Sequence, residues 1–166
     1  MKPQNLVYLE HPSPLGTLTL VCSPRGICGI YFHDQRNFKG SAAWQKVAQH
    51  EQLEHAATQL DEYFSGHRTE FDLMLDLEVS GTPFQQEVWK ELLNIRFGKT
   101  SSYGRHAELI ARPKAVRAVG GAIGRNPISI VVPCHRVLGS SGALTGYDGG
   151  LDRKKFLLQL EGVLSM

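Results

Sequence analysis

Alternating hydrophobic and polar positions predict an antiparallel hairpin near the start of the chain. The segment LGTLTLVC is followed by the turn SPRG and then by ICGIYF. Both flanking segments are rich in β-branched and aromatic residues, and Pro and Gly are typical of a tight connection. Cys22 and Cys28, which flank the turn, are expected to fill apolar space in this hairpin.

Helical spacing marks the region that follows the hairpin. Between Ser41 and Gly66 the apolar residues recur at intervals of three and four, with a break around His50. Gly66 is a typical residue at which a helix ends. The pattern therefore predicts helical structure over this region, interrupted at His50.

The segment FDLMLDLEV, residues 71–79, alternates apolar and acidic positions. Its acidic side chains, Asp72, Asp76 and Glu78, would point to solvent while the phenylalanine and leucines face the core. This alternation predicts a half-solvated strand. Together with the hairpin and the helix, the strand completes a small α/β domain that we expect to end near residue 80.

A different pattern begins after the Ser80-Gly81 pair. Thr82 is placed to cap a helix, with Pro83 in its first position and Gln85 in its third, which is a variant of the capping box. Apolar side chains recur at helical spacing and are expected to face inward: Phe84, Val88, Trp89, Leu92 and Leu93.

Two short helices with a tight connection are predicted next. Ser102 can cap the first, which runs from Tyr103 to about Ala111, and the second runs from about Lys114 to Gly124. Two helices joined in this way are typical of a helix-turn-helix.

The second of these helices, AVRAVGGAIG, has almost no bulky side chains around Arg117. Two adjacent glycines inside a helix cost about 1 kcal/mol each relative to alanine. Such a helix suits either a close packing seam with another helix or a close approach to a ligand. The single arginine favours the ligand surface.

An apolar run ends at three reactive side chains in the stretch NPISIVVPCHRVLG, residues 126–139. The run predicts a buried strand that ends at Pro133, whose fixed φ makes a defined elbow before Cys134. His135 and Arg136 follow directly, and a nearby cation is expected to lower the pKa of the thiol from about 8.5. These residues predict a nucleophilic cysteine.

An imidazole that acts as a base needs an acceptor to orient it. Because consecutive side chains seldom point the same way, we expect His135 to act on the thiol through a water molecule. Glu161, at the end of a final short helix capped by Asp152, is the carboxylate that we choose as the acceptor.

Composition narrows the classes of protein to consider. The 166 residues are 42% hydrophobic and 20% charged, and no apolar run approaches the roughly 20 residues that span a bilayer. Three scattered cysteines do not make a disulfide framework, so we expect a cytoplasmic location. Cys22, Cys28 and His33 lack the spacing of a metal site, and we expect no metal.

Charge is divided unevenly along the chain. Residues 1–80 contain 6 Lys and Arg against 10 Asp and Glu, whereas residues 81–166 contain 12 against 6. The first part therefore has a net charge of −4 and the second of +6. This division is either a chance fluctuation or the mark of an acidic support domain joined to a basic domain that binds nucleic acid.

The motifs of the second half resemble those of the O6-alkylguanine-DNA alkyltransferases. The resemblance rests on the segments FQQEVW at 84–89, SYG at 102–104, RAVGGA at 117–122, NPISIVVPCHRV at 126–137, GALTGYDGG at 142–150 and LLQLEG at 157–162. In the first half the similar segments are SPLGTL at 13–18 and LDEYFSG at 60–66.

The resemblance implies an α+β fold with two domains. Residues 1–80 would form a small α/β support domain, an antiparallel sheet plus a helix of ribonuclease-H-like type. Residues 81–166 would form a mainly helical, winged-helix-like domain with a helix-turn-helix, which binds DNA and accepts the alkyl group.

The implied activity is direct DNA repair without a cofactor. An alkyl group on O6 of guanine, or less efficiently on O4 of thymine, would pass irreversibly to Cys134, once per molecule. The substrate would be double-stranded DNA, approached through the minor groove with the damaged base flipped out of the helix. The protein would act as a monomer, with cooperative binding to DNA left open and no membrane involved.

The resemblance also assigns roles around the thiol. His135 would be the water-mediated base, Glu161 would orient it, and Asn126 would organise the turn around the site. Tyr103 would donate a proton to the guanine leaving group, and Arg117 would fill the gap left by the flipped base. The remaining implied contacts are Ala118, Gly120, Tyr103 and Ser140 to DNA, and Val137, Tyr147, Asp148 and Gly149 to the flipped base.

Three positions depart from the pattern of other members. Val116 stands where many have alanine, Ser129 where some have proline and Asp148 where some have serine; a carboxylate near the base could alter tolerance for bulky alkyl groups. Two other functions are considered: an alkyltransferase-like module that only binds damaged DNA, against which Cys134 argues, and a Cys-His hydrolase.

Overall fold

Residues 5–35, 38 and 43–165 are described by a computed structural model, in which the chain divides into two units, Met1–Ser80 and Gly81–Met166. The predicted hairpin forms one side of the sheet in the first unit. Strands β2 (Leu18–Ser23) and β3 (Gly26–Phe32) pair antiparallel, β1 (Val7–His11) adds antiparallel to β2, and β4 (Gln45–Lys46) adds parallel to β1.

Helix α1 (Glu51–Phe64) packs against this sheet. The core between them consists of fully buried side chains from both elements, including Leu18, Leu20, Ile30 and Phe32 from the sheet and Leu53, Ala56, Leu60 and Tyr63 from the helix. The antiparallel sheet with one helix that the sequence predicts for this unit is therefore confirmed.

The helical prediction before His50 is wrong for the residues that the structure describes. His50 has an extended backbone and precedes the first turn of α1, while β4 occupies part of the segment before it. Trp44 packs its ring against Tyr8 and Tyr31 rather than on a helix face. Apolar spacing alone did not distinguish this edge strand from a helix; Ser41 lies outside the described residues.

The strand predicted over residues 71–79 is also wrong. Only Leu75 pairs, through an isolated bridge to Ile27. Asp76, which the alternation places in solvent, is buried and accepts a hydrogen bond from the hydroxyl of Ser23 at 2.6 Å. A partner 53 residues away thus overrides the local pattern.

In the second unit, the capping box at the start of α2 (Pro83–Leu92) is confirmed. The hydroxyl oxygen of Thr82 accepts from the backbone N–H of Gln85, and the Gln85 side chain accepts from the N–H of Thr82. Val88, Trp89 and Leu92 are buried as predicted. Leu93 is 43% exposed, because it follows the last helical residue as the C-cap, and Phe84 is half-buried.

The helix pair is confirmed, with both helices shorter than predicted. Helix α3 (Tyr103–Leu109) is capped by Ser102, whose hydroxyl accepts from the N–H of Arg105, and α4 (Val116–Gly124) packs against α2 and α3. Helix α3 ends early because Ala111 has a φ of +60°, which is incompatible with a right-handed helix.

Two short strands and one more helix complete this unit. Strand β5 (Ser101–Ser102) pairs parallel with β6 (Val137–Leu138), and α5 (Leu151–Leu160) lies near the end of the chain. The N-cap of α5 is Gly150, with a φ of +94°, and not Asp152, which lies in the first turn. Within the described ranges, no helix is long and apolar enough to cross a membrane.

Candidate active site

The apolar run before Cys134 is not the strand that the sequence predicts. It is a series of turns organised by the side chain of Asn126, which is buried. The amide oxygen of Asn126 accepts from the N–H of Ile128 at 3.0 Å, and its amide nitrogen donates to the carbonyl of Val132 at 2.8 Å. A side-chain amide thus replaces the strand partner that these backbone groups would otherwise require.

Two three-residue turns complete the approach to the thiol. Ile130 has a φ of +73°, and the N–H of Val131 donates to the carbonyl of Ser129 across it at 2.8 Å. A β-branched residue seldom adopts this conformation. A second turn is centred on Pro133, and Cys134 then opens a single 3-10 turn, Cys134–Arg136. The elbow predicted at Pro133 is present, but turns and not a strand hold it.

The thiol of Cys134 is buried, with 5% of the residue exposed. Burial raises its pKa to about 11, and the hydrogen bond from Asn126 and the charge of Lys154 oppose this only in part. Asp148 raises the pKa further. The expectation that adjacent cations lower this pKa is therefore wrong, because burial has the larger effect.

Glu161 brings His135 and Arg136 together. Its Oε2 lies 2.7 Å from Nε2 of His135, its Oε1 accepts from Nε of Arg136 at 2.7 Å, and Oε2 also accepts from Nη2 of Arg136 at 3.0 Å. Burial alone would raise the pKa of Glu161, but these hydrogen bonds outweigh it and lower the pKa to about 2. The carboxylate is therefore ionised at neutral pH.

This arrangement defines the state of the His135 ring. Burial lowers the pKa of His135, although Glu161 opposes the shift, so the ring is neutral at pH 7. An ionised carboxylate accepts only, so Nε2 carries the hydrogen and Nδ1 carries the lone pair. Nδ1 is buried and has no hydrogen-bond partner in the described part of the chain. One nitrogen is thus fixed while the other is a free acceptor.

Helix α4 uses its small residues in two ways: on one face it packs closely against another helix, and on the other it leaves a small exposed surface. A side chain at Gly120 would contact the Tyr103 ring at 3.6 Å, so this position is a packing seam. A side chain at Gly121 would instead point into open space, and Arg117 and Ala118 are exposed on the same helix. Val116, at the start of the helix, is also exposed.

In the glycine-rich loop before α5, the carbonyls of Thr145 and Gly146 accept hydrogen bonds from two side chains. The hydroxyl of Tyr103 donates to the carbonyls of Thr145 at 3.1 Å and Gly146 at 3.4 Å. Nζ of Lys154 donates to the same two carbonyls and to that of Val137. The other residues expected near the base are Tyr147 and Asp148, which are half-buried, Gly149, which is buried, and Ser140, which is exposed.

Lys154 and the role of Arg136 as the partner of Glu161 were not predicted. A signal for Lys154 exists in the sequence, because Lys154, Leu157, Leu158 and Glu161 are spaced as one face of a helix. All four are buried. Two charged residues on an apolar helix face indicate partners inside the protein.

Two family models match the chain. The model described as 6-O-methylguanine DNA methyltransferase, ribonuclease-like domain, matches residues 6–77, and the model for the DNA binding domain of the same family matches residues 83–163. A methylated-DNA–protein-cysteine methyltransferase of Mycobacterium tuberculosis is 48% identical over 154 residues, which are 93% of this chain and 91% of that protein. One of Methanosarcina acetivorans is 44% identical over 158 residues, 95% and 99% of the two chains.

A solved structure agrees with these matches. The crystal structure of Mycobacterium tuberculosis OGT in complex with DNA superposes with a TM-score of 0.85 at 47% identity, covering 93% of this chain and 92% of that chain. The predicted α+β fold, a ribonuclease-like domain followed by a helical DNA-binding domain, is therefore confirmed. The chain belongs to the 6-O-methylguanine DNA methyltransferase family of DNA-repair enzymes.

Proposed function

We propose that this protein repairs O6-alkylguanine in double-stranded DNA by taking the alkyl group onto Sγ of Cys134, once and irreversibly. The observation that carries the proposal is the neutral His135 ring, which Glu161 fixes through one nitrogen and which keeps a free acceptor nitrogen, one residue after the buried thiol in the chain. In this proposal residues 1–80 support the fold, and residues 81–166 bind DNA and react.

The transfer is an in-line displacement at the alkyl carbon. Sγ of Cys134 forms a bond to that carbon while the bond from carbon to O6 breaks, and its electron pair stays with the guanine. The thiol is neutral at rest, so its proton must leave as the sulfur attacks. A water molecule between the thiol and Nδ1 of His135 would pass that proton to the ring.

The departing guanine needs a proton, which we assign to the hydroxyl of Tyr103. In the free protein this hydroxyl donates to the carbonyl of Thr145. It must therefore exchange the loop carbonyl for the base. Tyr103 recovers its proton from solvent, and the net products are a thioether and an intact guanine.

The base has to leave the duplex before the sulfur can reach it, at a cost of a few kcal/mol. The exposed face of α4, which includes Arg117, Ala118 and Gly121, is small enough for close contact with the minor groove. We assign Arg117 to the space left by the flipped base. The carbonyl of Val137 and the backbone amides of residues 147–149 would then recognise the purine, and Ser140 would contact the DNA backbone.

The test is the mass of the protein after mixing with duplex DNA that contains O6-methylguanine. We expect a single gain equal to the exchange of one hydrogen for one methyl group, located on Cys134 by peptide mapping. Cys134→Ser should bind DNA and gain nothing, while Cys22→Ala and Cys28→Ala should react normally. DNA with O4-methylthymine should react more slowly.

Other outcomes would identify a different function. Binding of damaged DNA by the wild-type protein without any mass gain would favour a pure binding module. Repeated turnover of an ester or amide would favour a Cys-His hydrolase. A methyl group on Cys22 or Cys28 would show that Cys134 is not the acceptor.

A further inference from the structure

Lys154 is a lysine with no exposed surface, on the inner face of α5. Its Nζ donates to the carbonyls of Val137 at 2.6 Å, Thr145 at 2.7 Å and Gly146 at 3.3 Å. An unpaired ammonium is unfavourable in a protein interior, so its three hydrogens need these acceptors. Burial lowers the pKa of Lys154 to about 8, so the ammonium form with three donors still prevails at pH 7.

These three carbonyls belong to two separate segments. Val137 begins β6, directly after the 3-10 turn that carries Cys134. Thr145 and Gly146 lie in the glycine-rich loop, where Gly142, Gly146 and Gly150 all have positive φ values. The N–H of Gly139, just after β6, donates to the carbonyl of Ala143 in this loop at 2.9 Å. The ammonium group adds a second link, which joins the Val137 carbonyl itself to those of Thr145 and Gly146.

The chemistry of the substrate gives the Val137 carbonyl a specific task. Alkylation at O6 removes the hydrogen from N1 of guanine, which leaves the exocyclic amino group as the only donor on that edge of the base. A carbonyl oxygen can accept two hydrogen bonds. Lys154 uses one of these positions on Val137, which is buried in the free protein, and we assign the other to the amino group of a base that has entered the site.

We propose that Lys154 is a positioning residue that makes the protein selective for the amino group of guanine, by holding the Val137 carbonyl in place against the glycine-rich loop. This inference rests on the proposed function. It also accounts for the shared acceptors of Lys154 and Tyr103. When the Tyr103 hydroxyl turns to the base, the carbonyls of Thr145 and Gly146 keep their bonds to Nζ, and the loop stays in position.

The experiment compares two duplexes of one sequence, containing either O6-methylguanine or O6-methylhypoxanthine, which lacks only the amino group. Single-turnover rates are measured with excess protein. We expect the wild type to react about tenfold faster with the guanine, the effect of one well-made hydrogen bond. In Lys154→Met, which keeps an unbranched side chain one atom shorter than lysine but has no donor, the ratio of rates should fall to within about threefold of one.

Two further variants separate positioning from stability. Lys154→Gln is neutral and too short to span three carbonyls, so its ratio should lie between those of the wild type and Lys154→Met. Leu158→Ala truncates a fully buried side chain on the same helix and should lower the melting temperature. This variant should nevertheless keep the wild-type ratio of rates on the two duplexes, because the apolar side chain of Leu158 donates no hydrogen bond to the Val137 carbonyl.

An equal loss of rate on both duplexes in Lys154→Met, with the wild-type ratio retained, would overturn the proposal. If Lys154→Met does not fold, an unchanged ratio in Lys154→Gln would do the same. A wild type that reacts equally with both duplexes would also overturn it while leaving the proposed function intact. A wild type that gains no methyl group from either duplex would instead contradict the proposed function.

Discussion

Nε2 of His135 lies 2.7 Å from Oε2 of Glu161, and neither side chain is accessible to solvent. The same carboxylate accepts two hydrogen bonds from Arg136. A buried carboxylate is tolerated only with such partners, since its desolvation is unfavourable. The three residues therefore form one unit, in which Arg136 compensates the charge that orients His135.

Glu161→Gln should lower both the stability of the protein and its rate of alkyl transfer. The amide leaves Arg136 as a buried cation without a counter-charge, which should lower the free energy of unfolding by about 3 kcal/mol. It also removes the strong acceptor that fixes the His135 ring, so alkyl transfer should slow about 100-fold. Urea unfolding and single-turnover rates measure the two effects.

Glu108→Gln is the matched control for this substitution. Glu108 is exposed and pairs with Arg105, so its loss should change the free energy of unfolding by less than about 0.5 kcal/mol. A wild-type transfer rate in Glu161→Gln would mean that His135 does not need the carboxylate.

Arg117→Ala should slow the repair of duplex DNA without slowing the alkyl transfer from a free base. If Arg117 replaces the flipped base, its loss affects the extrusion equilibrium by a few kcal/mol, and repair of duplex DNA should slow at least about 100-fold. The reaction with free O6-benzylguanine needs no extrusion and should keep its rate. Parallel rate measurements on both substrates test this.

Arg125→Ala removes an equal charge from the C-cap of the same helix, where Arg125 is also exposed. We expect it to change mainly the salt dependence of DNA binding. Equal losses of Arg117→Ala on the duplex and the free base would contradict the proposed role.

Stability should fall as the solution becomes acidic, in part because of His106. This residue is fully buried, with Nε2 3.0 Å from the carbonyl of Val88, and burial lowers its pKa below the ordinary 6.5. The unfolded chain therefore binds more protons than the folded one at acid pH. Neutral His106 therefore makes its full contribution to the free energy of unfolding above pH 6.5. This contribution is lost as the pH falls below 6.5 toward the lower pKa that His106 has in the folded protein.

Burial also lowers the pKa of His135, so the stability that neutral His135 contributes is lost over the same pH range as that of His106. Glu161 acts at lower pH, because its stabilisation is present above 4.5 and is lost as the pH falls toward about 2. Urea unfolding between about pH 5 and pH 8 should show the decline, and His106→Gln should reduce its slope. If the free energy of unfolding of His106→Gln fell with pH as steeply as that of the wild type, His106 would not be a cause of the decline.

Methylation of Cys134 should destabilise the protein. The thiol lies in a nearly closed site, and an added methyl group in a tightly packed interior typically costs about 1–3 kcal/mol. We expect the first opening around Asn126 and residues 133–137, because the Asn126 side chain that organises these turns also bonds the thiol. Thermal melts of unreacted and fully methylated protein in one buffer test this, and an equal or higher melting temperature after methylation would show that the site has spare room.

Local chemistry in the sequence determined several elements correctly. Thr82 and Gln85 specify the start of α2 because a capping box needs only residues three apart. Ser102 specifies the start of α3 in the same way. Glu161 was also chosen from the sequence as the acceptor for His135, and the two side chains lie 2.7 Å apart.

Only the tertiary structure decided the features that depend on distant partners. The run before Cys134 has the composition of a strand, but the Asn126 side chain takes the place of a neighbouring strand and folds it into turns. The pKa of the Cys134 thiol depends on its burial and on Asn126, Asp148 and Lys154. None of these three residues is a sequence neighbour of Cys134, so the local sequence does not reveal their effect. A charged group inside a protein takes its state from whatever surrounds it in space, and for Lys154 those surroundings are carbonyls up to 17 residues away along the chain.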